Sequence, residues 1–112
     1  MTPRKRAPSL AKLEVLSVFV EDPATARYGS ELMKATSLSS GSLYPILQRL
    51  EDDGWIEGVW EVLPADAQRP RRRYYRLTAM GLPSARAEIG RAVNLARRAE
   101  PKLVWLQMGW AG

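Results

Sequence analysis

A mainly α-helical domain carrying a small β-hairpin wing is what this sequence predicts, and three observations carry that reading. Apolar residues recur at helical spacing in four separate stretches. Between the third and the fourth lies a period-two stretch, then a proline-containing loop and a second short apolar and aromatic run. A chain of 112 residues is one domain's worth of sequence, enough for one modest core.

Taken in order, residues 1–8 hold Arg4, Lys5 and Arg6 between prolines and read as a flexible basic arm. Ser9 caps a first helix, in which Leu10, Leu13, Leu16 and Val20 lie at helical spacing while Val15, Val18 and Phe19 cover a second face. A helix apolar on two sides has to be covered on two sides. Asp22-Pro23 marks a turn over residues 21–27. A short second helix occupies residues 29–35, with Leu32 and Met33 inward.

In the third helix Leu43, Ile46, Leu47 and Leu50 fall at i, i+3, i+4 and i+7, so one face is core. Ser39, Ser40 and Ser42 are alternative N-caps, and Pro45 bears on the choice. Proline costs no helical hydrogen bond only within the first turn, which suits a cap at Ser42, whereas Ser39 or Ser40 entails a lost bond or a slight kink. Asp52-Asp53-Gly54 is the stop. Ile56, Trp60 and Val62 then alternate with Glu57 and Glu61, predicting a strand. Residues 63–72 form a loop of climbing positive charge, and residues 73–78 return with Tyr75 and Leu77 on one face. Thr78 caps a last helix whose inner stripe is Leu82, Ala85, Ile89, Ala92, Val93 and Ala96; Pro83 strains its start and Pro101 ends it after Glu100. An apolar tail with Trp105 and Trp110 follows.

This order of elements is a winged helix-turn-helix, in which the third helix enters the major groove beside a hairpin wing. The domain boundaries predicted are 1–8 for the arm, 9–78 for the winged-helix unit and 79–112 for a C-terminal dimerisation helix with its tail. The two-sided first helix and the stripe from Leu82 to Ala96 exceed what one small core covers, so the N- and C-terminal helices are expected to build a homodimer.

Composition narrows the chemistry. Lys and Arg number 17 against 12 Asp and Glu, a formal net charge of +5 that favours a polyanionic partner. There is no cysteine and no histidine, which removes disulfides, thiolate metal sites and the usual hydrolase triads and zinc sites. Asp52 and Asp53 sit at a helix end before Gly54, where turn chemistry accounts for them. An enzyme, a cofactor and a metal are therefore not expected. No segment approaches the ~20 apolar residues of a membrane span and no signal peptide is evident, so a cytoplasmic, membrane-free protein is expected.

Sequence in duplex DNA is read at base edges while phosphate contacts supply most of the affinity. Opposite the leucine stripe of the third helix, Ser40, Ser42, Tyr44, Gln48 and Arg49 supply hydroxyl, amide and guanidinium groups; a merely solvated face is the alternative, and Arg49 has Glu51, Asp52 and Asp53 as rival partners. Arg69, Arg71, Arg72 and Arg73 form the densest positive run, with Asp66 the only acid from Pro64 to Thr78. At a hairpin tip such cations reach a minor groove or a phosphate row. Tyr75 is read as core and Tyr74 as packing beside the wing.

Gly41-Ser42-Leu43-Tyr44-Pro45, Leu47, Arg49-Leu50-Glu51, Gly54 and Ile56, then Arg69-Pro70-Arg71 leading into Tyr74-Tyr75-Arg76-Leu77-Thr78 and Gly81, closely resemble the PadR family of transcriptional regulators. The resemblance spans residues 10–88 and is to the branch with a single C-terminal helix. It implies a dimeric repressor bound to an inverted-repeat operator, and it assigns Ser42 and Tyr44 to DNA contact. Some members of that family hold flat aromatic effectors between aromatic side chains at the dimer centre, which makes Trp105 and Trp110 candidate ligand residues beside the plainer reading of a dimer seam. Two departures stand out: Tyr28-Gly29-Ser30-Glu31 replaces a His-Gly-Tyr-Glu-like segment, and the wing carries an extra arginine. The alternative function is a winged-helix module that binds protein without specific DNA recognition, for which an acidic or apolar wing is expected.

Overall fold

The structure, a computed structural model, describes residues 9–107 and the side chains of residues 9–99. The predicted basic arm and Trp110 lie outside the described residues, as does the side chain of Trp105. The elements in chain order are α1 (Leu10–Glu21), β1 (Arg27–Tyr28), α2 (Gly29–Thr36), α3 (Ser40–Asp52), β2 (Ile56–Trp60), β3 (Arg73–Leu77) and α4 (Gly81–Gln107). Four helices and a small antiparallel sheet make this a mainly helical winged-helix fold.

α1 begins as predicted, with the Ser9 hydroxyl accepting a hydrogen bond from the Lys12 amide at 3.1 Å. Its inward residues are Val15, Leu16 and Phe19, which pack with Leu32, Leu43, Leu47 and Leu50 in one core. The start of the other stripe is left exposed among the described residues: Leu10 is 72% exposed. With Leu13, Glu14, Ser17, Val18 and Glu21 it lines a shallow groove on the outer side of α1. α2 ends where Ser37 turns left-handed at φ 61° and returns its N–H to the Met33 carbonyl at 2.8 Å. Only Ser37, Leu38 and Ser39 then separate α2 from α3.

Of the three candidate caps the fold uses Ser39, whose hydroxyl accepts from the Ser42 amide. Pro45 consequently lies inside α3 with no N–H to offer the carbonyl of Gly41. Two gains offset that loss. The early start keeps the α2–α3 turn short and buries Leu43, Leu47 and Leu50 together, and Gly41 lies at the exposed surface, where water can reach its carbonyl. α3 stops at Gly54, whose φ of 76° suits glycine alone among the residues nearby.

In the sheet β3 runs between β1 and β2, both antiparallel to it, with Ile56 opposite Leu77 and Trp60 opposite Arg73. β1 sits on the other edge and pairs Tyr28 with Tyr74, their rings edge to face at 5.4 Å. This two-residue strand, at the junction of the stretch read as a turn (21–27) and the second helix, was not foreseen, because it is too short to show a period. Ile56 and Tyr75 reach the core, whereas Trp60 is 52% and Val62, beyond the end of β2, 93% exposed. The hairpin climbs away from the helices, so its alternation outlasts the layer beneath it.

Thr78 serves as predicted: its hydroxyl accepts from the Gly81 amide at 3.0 Å and donates to the Gly54 carbonyl at 2.6 Å, tying α4 to the end of α3. Ala85 is buried and Ile89 packs against the core, while Lys12 bridges to Glu88 at 3.2 Å. Beyond that the stripe leaves the body, and Val93 and Leu95 are exposed. Pro101 does not end the helix, which continues to Gln107. A single proline removes one i→i−4 bond, and the alanine, leucine and lysine around it favour helix on both sides. No helix among the described residues is long and apolar enough to cross a membrane.

Candidate nucleic-acid interface

α3 turns its leucines inward, which leaves Ser40, Ser42, Tyr44, Gln48 and Arg49 exposed. The Ser42 hydroxyl accepts from the Ser39 hydroxyl at 3.3 Å, so it belongs partly to the cap. Gln48 donates its amide to Asp52 at 2.9 Å. Arg49 forms no ion pair with Glu51, Asp52 or Asp53 among the described residues; Glu51 reaches instead to Arg73. Tyr44 lies on the flank that faces the sheet, its ring over Gly29 at the start of α2.

The four predicted wing arginines separate into two kinds. Arg69 forks onto Glu61 with both nitrogens, at 2.6 and 3.0 Å, across the base of the wing loop. That hydrogen bond holds the Glu61 carboxyl below its ordinary value of 4.5. Arg73 reaches Glu51 on α3 at 3.1 Å and lies against the rings of Trp60 and Tyr75. Burial pushes the Tyr75 phenol upward, so it stays neutral. Arg71 and Arg72 have no carboxylate partner among the described residues. Their guanidinium groups rest on ring faces, Arg71 on Trp60 at 5.6 Å and Arg72 on Tyr28 at 4.5 Å. A cation so placed keeps its charge for an incoming anion.

Between the first turn of α2, Tyr44 of α3 and the wing lies a cleft of about 410 Å³ whose walls include Tyr28, Tyr44, Trp60 and Arg71 to Arg73. The fold thus brings Tyr44 together with three of the predicted wing arginines. Ser40, Ser42, Gln48 and Arg49 remain on the outer face of α3, and Arg69 stays at the loop with Glu61. Sequence reasoning missed Tyr28 and Trp60 as seats for guanidinium groups, and it missed the pinning roles of Glu51 and Glu61. Nothing in spacing along the chain marks these pairs, since they form across the hairpin or between the wing and α3 or β1.

A family model described as the transcriptional regulator PadR-like family matches residues 15–87. Among solved structures, a PadR family transcription regulator from Clostridium difficile superposes with a TM-score of 0.70 at 20% identity, covering 85% of this chain and 99% of that one. A protein from Streptococcus mutans gives 0.65 at 22% identity, with 85% and 86% covered. A PadR-like transcriptional regulator from Bacillus cereus gives 0.61 at 26% identity, with 83% and 89% covered. No curated protein matches the chain.

Proposed function

The chain belongs to the PadR-like family of transcriptional regulators, and on that premise we propose that it is a dimeric, sequence-specific repressor whose operator is an inverted repeat. Regulators of this family are transcription factors rather than enzymes, and they bind DNA. The observation that carries the residue-level reading is Tyr44, exposed on α3, sharing one cleft with Arg71 and Arg72, two wing cations with no carboxylate partner among the described residues. Ser40, Ser42 and Tyr44 near the start of α3 are the base-reading groups, supported by Gln48 and Arg49. Glu51, Asp52 and Asp53 crowd the other end, where they repel phosphate, so the N-terminal half of α3 enters the groove. Arg71 and Arg72 grip the backbone, with Arg69 and Arg73 adding charge from their pinned positions.

Dimerisation is supported by two uncovered surfaces, the outer groove of α1 and the exposed α4 face around Leu95, 68% exposed. A two-fold dimer presents two copies of α3 to half-sites about 34 Å apart. A flat aromatic effector held near Trp105 or Trp110 completes this reading as the release mechanism; titrating aromatic compounds against Trp105→Ala and Trp110→Ala variants, with operator release as the readout, checks it. The protein-interaction alternative calls for an acidic or apolar wing, and this wing is basic. Selection of bound duplexes from a random pool tests the proposal. Enrichment of one inverted repeat supports it, and retention of all sequences alike at physiological salt refutes specific recognition.

A further inference from the structure

The cleft between α3 and the wing has no acidic side chain in its lining, and three guanidinium groups border it. The Arg71 guanidinium sits over the Trp60 ring at 5.6 Å and that of Arg72 over Tyr28 at 4.5 Å, partners that do not neutralise their charge. A carboxylate has two oxygens, which one guanidinium fork satisfies. Two adjacent forks match a phosphate monoester, with three terminal oxygens and up to two charges. Tyr44 and Trp60, each about half exposed, add ring surface on which a planar group can stack. The volume of about 410 Å³ falls within the roughly 300–1,000 Å³ of small-molecule sites.

We propose that this cleft binds a free nucleoside monophosphate, its phosphate on Arg71 and Arg72 and its base against Tyr44, and that the occupied cleft excludes operator DNA. The exclusion rests on the DNA reading given above, since the ligand takes the same side chains. The binding itself does not depend on that reading.

Calorimetry on the full chain without DNA tests the site, using adenosine and guanosine monophosphates, the two nucleosides, inorganic phosphate and a short 5′-phosphorylated single strand. A monophosphate is expected to bind at least about tenfold tighter than its nucleoside or inorganic phosphate. Arg71→Ala with Arg72→Ala should abolish binding, and Arg76→Gln, outside the cleft, should leave it. In a parallel titration the bound monophosphate should raise the apparent operator Kd competitively. Inorganic phosphate binding equally well would reduce the cleft to an unspecific anion grip. A single strand binding tighter through the same arginines would reassign the site to nucleic acid, and no heat up to about 5 mM monophosphate would also overturn the proposal. Monophosphate binding in a protein that selects no operator would sink the repressor reading alone.

Discussion

The hydroxyl of Tyr44 lies over Gly29 so closely that a β-carbon at position 29 would overlap it. The start of α2 therefore sets where the α3 tyrosine stands. Gly29→Ala should push the half-exposed ring out of place, destabilising the fold by no more than about 1 kcal/mol and weakening operator binding. Urea unfolding checks the first effect. In a Tyr44→Ala background the same substitution should cost much less, because the clash is gone, and equal costs in both backgrounds would mean that the ring is not what Gly29 accommodates.

Tyr44→Phe separates the two roles of that side chain. The ring of this half-exposed residue is kept and only its hydroxyl is lost, so stability should be unchanged within about 0.5 kcal/mol. Operator affinity should fall by roughly 1 kcal/mol. Unaltered affinity in a titration at fixed salt would show that Tyr44 only packs.

Arg71 and Arg72 carry charge without a carboxylate partner among the described residues, whereas Arg69 is forked onto Glu61. Replacing Arg71 and Arg72 by Ala should weaken binding to all duplexes and flatten the salt dependence by about 1–2 units, near 0.9 per phosphate contact. Arg69→Gln should flatten it less. The measurement is log K against log salt for specific and random duplexes, and equal slopes for wild type and the double variant would remove the wing from the interface.

The Glu61–Arg69 pair makes a pH prediction of fixed sign. The hydrogen bond from Arg69 lowers the folded-state value of Glu61 beneath 4.5. Its contribution to wing closure is therefore complete above the unfolded carboxylate value and is lost as pH falls through the lowered folded one. The wing should keep this contact throughout the neutral range. Carbon-detected NMR titration of the Glu61 carboxyl should give a midpoint below 4.5 that moves upward in Arg69→Gln.

How much of this was legible in the sequence follows from the range of each interaction. Ser9 and Thr78 were readable as caps, and Leu43, Leu47 and Leu50 as core, because caps and helical stripes are local patterns. Pro45 was misleading as evidence for Ser42, since the burial of three leucines outweighed one hydrogen bond at an exposed carbonyl. Pro101 misled in the same direction. The division of the wing arginines was beyond sequence reasoning: Glu51 and Arg73 are far apart in the chain and meet only because Gly58 lets the guanidinium lie across β2. Charge density along the chain marked the right segment without telling which of its cations are already paired.

In the proposed dimer, the exposed faces of α1 and α4 carry charges of matching spacing. On α1, Glu14 and Glu21 stand two turns apart with Ser17 and Val18 between them. On α4, Arg91 and Arg98 stand two turns apart with Leu95 between them. Both spacings span about 10.5 Å of helix rise, so α4 of a second copy laid along α1 sets each arginine beside a glutamate while Leu95 meets Val18 and the small Ser17 allows close approach. Exposed ion pairs are worth only about 0.2–1 kcal/mol each, so the apolar contact has to supply most of the affinity and the charges set the register. Two-fold symmetry makes each pairing occur twice. Glu14→Arg with Glu21→Arg should therefore shift sedimentation toward monomer at micromolar concentration, and adding Arg91→Glu with Arg98→Glu to the same chain should restore the dimer. Leu95→Asp should weaken it regardless of the charges. If the fourfold variant is as monomeric as the twofold one, the two faces do not meet in this register, whereas a wild type that sediments as a monomer removes the dimer itself.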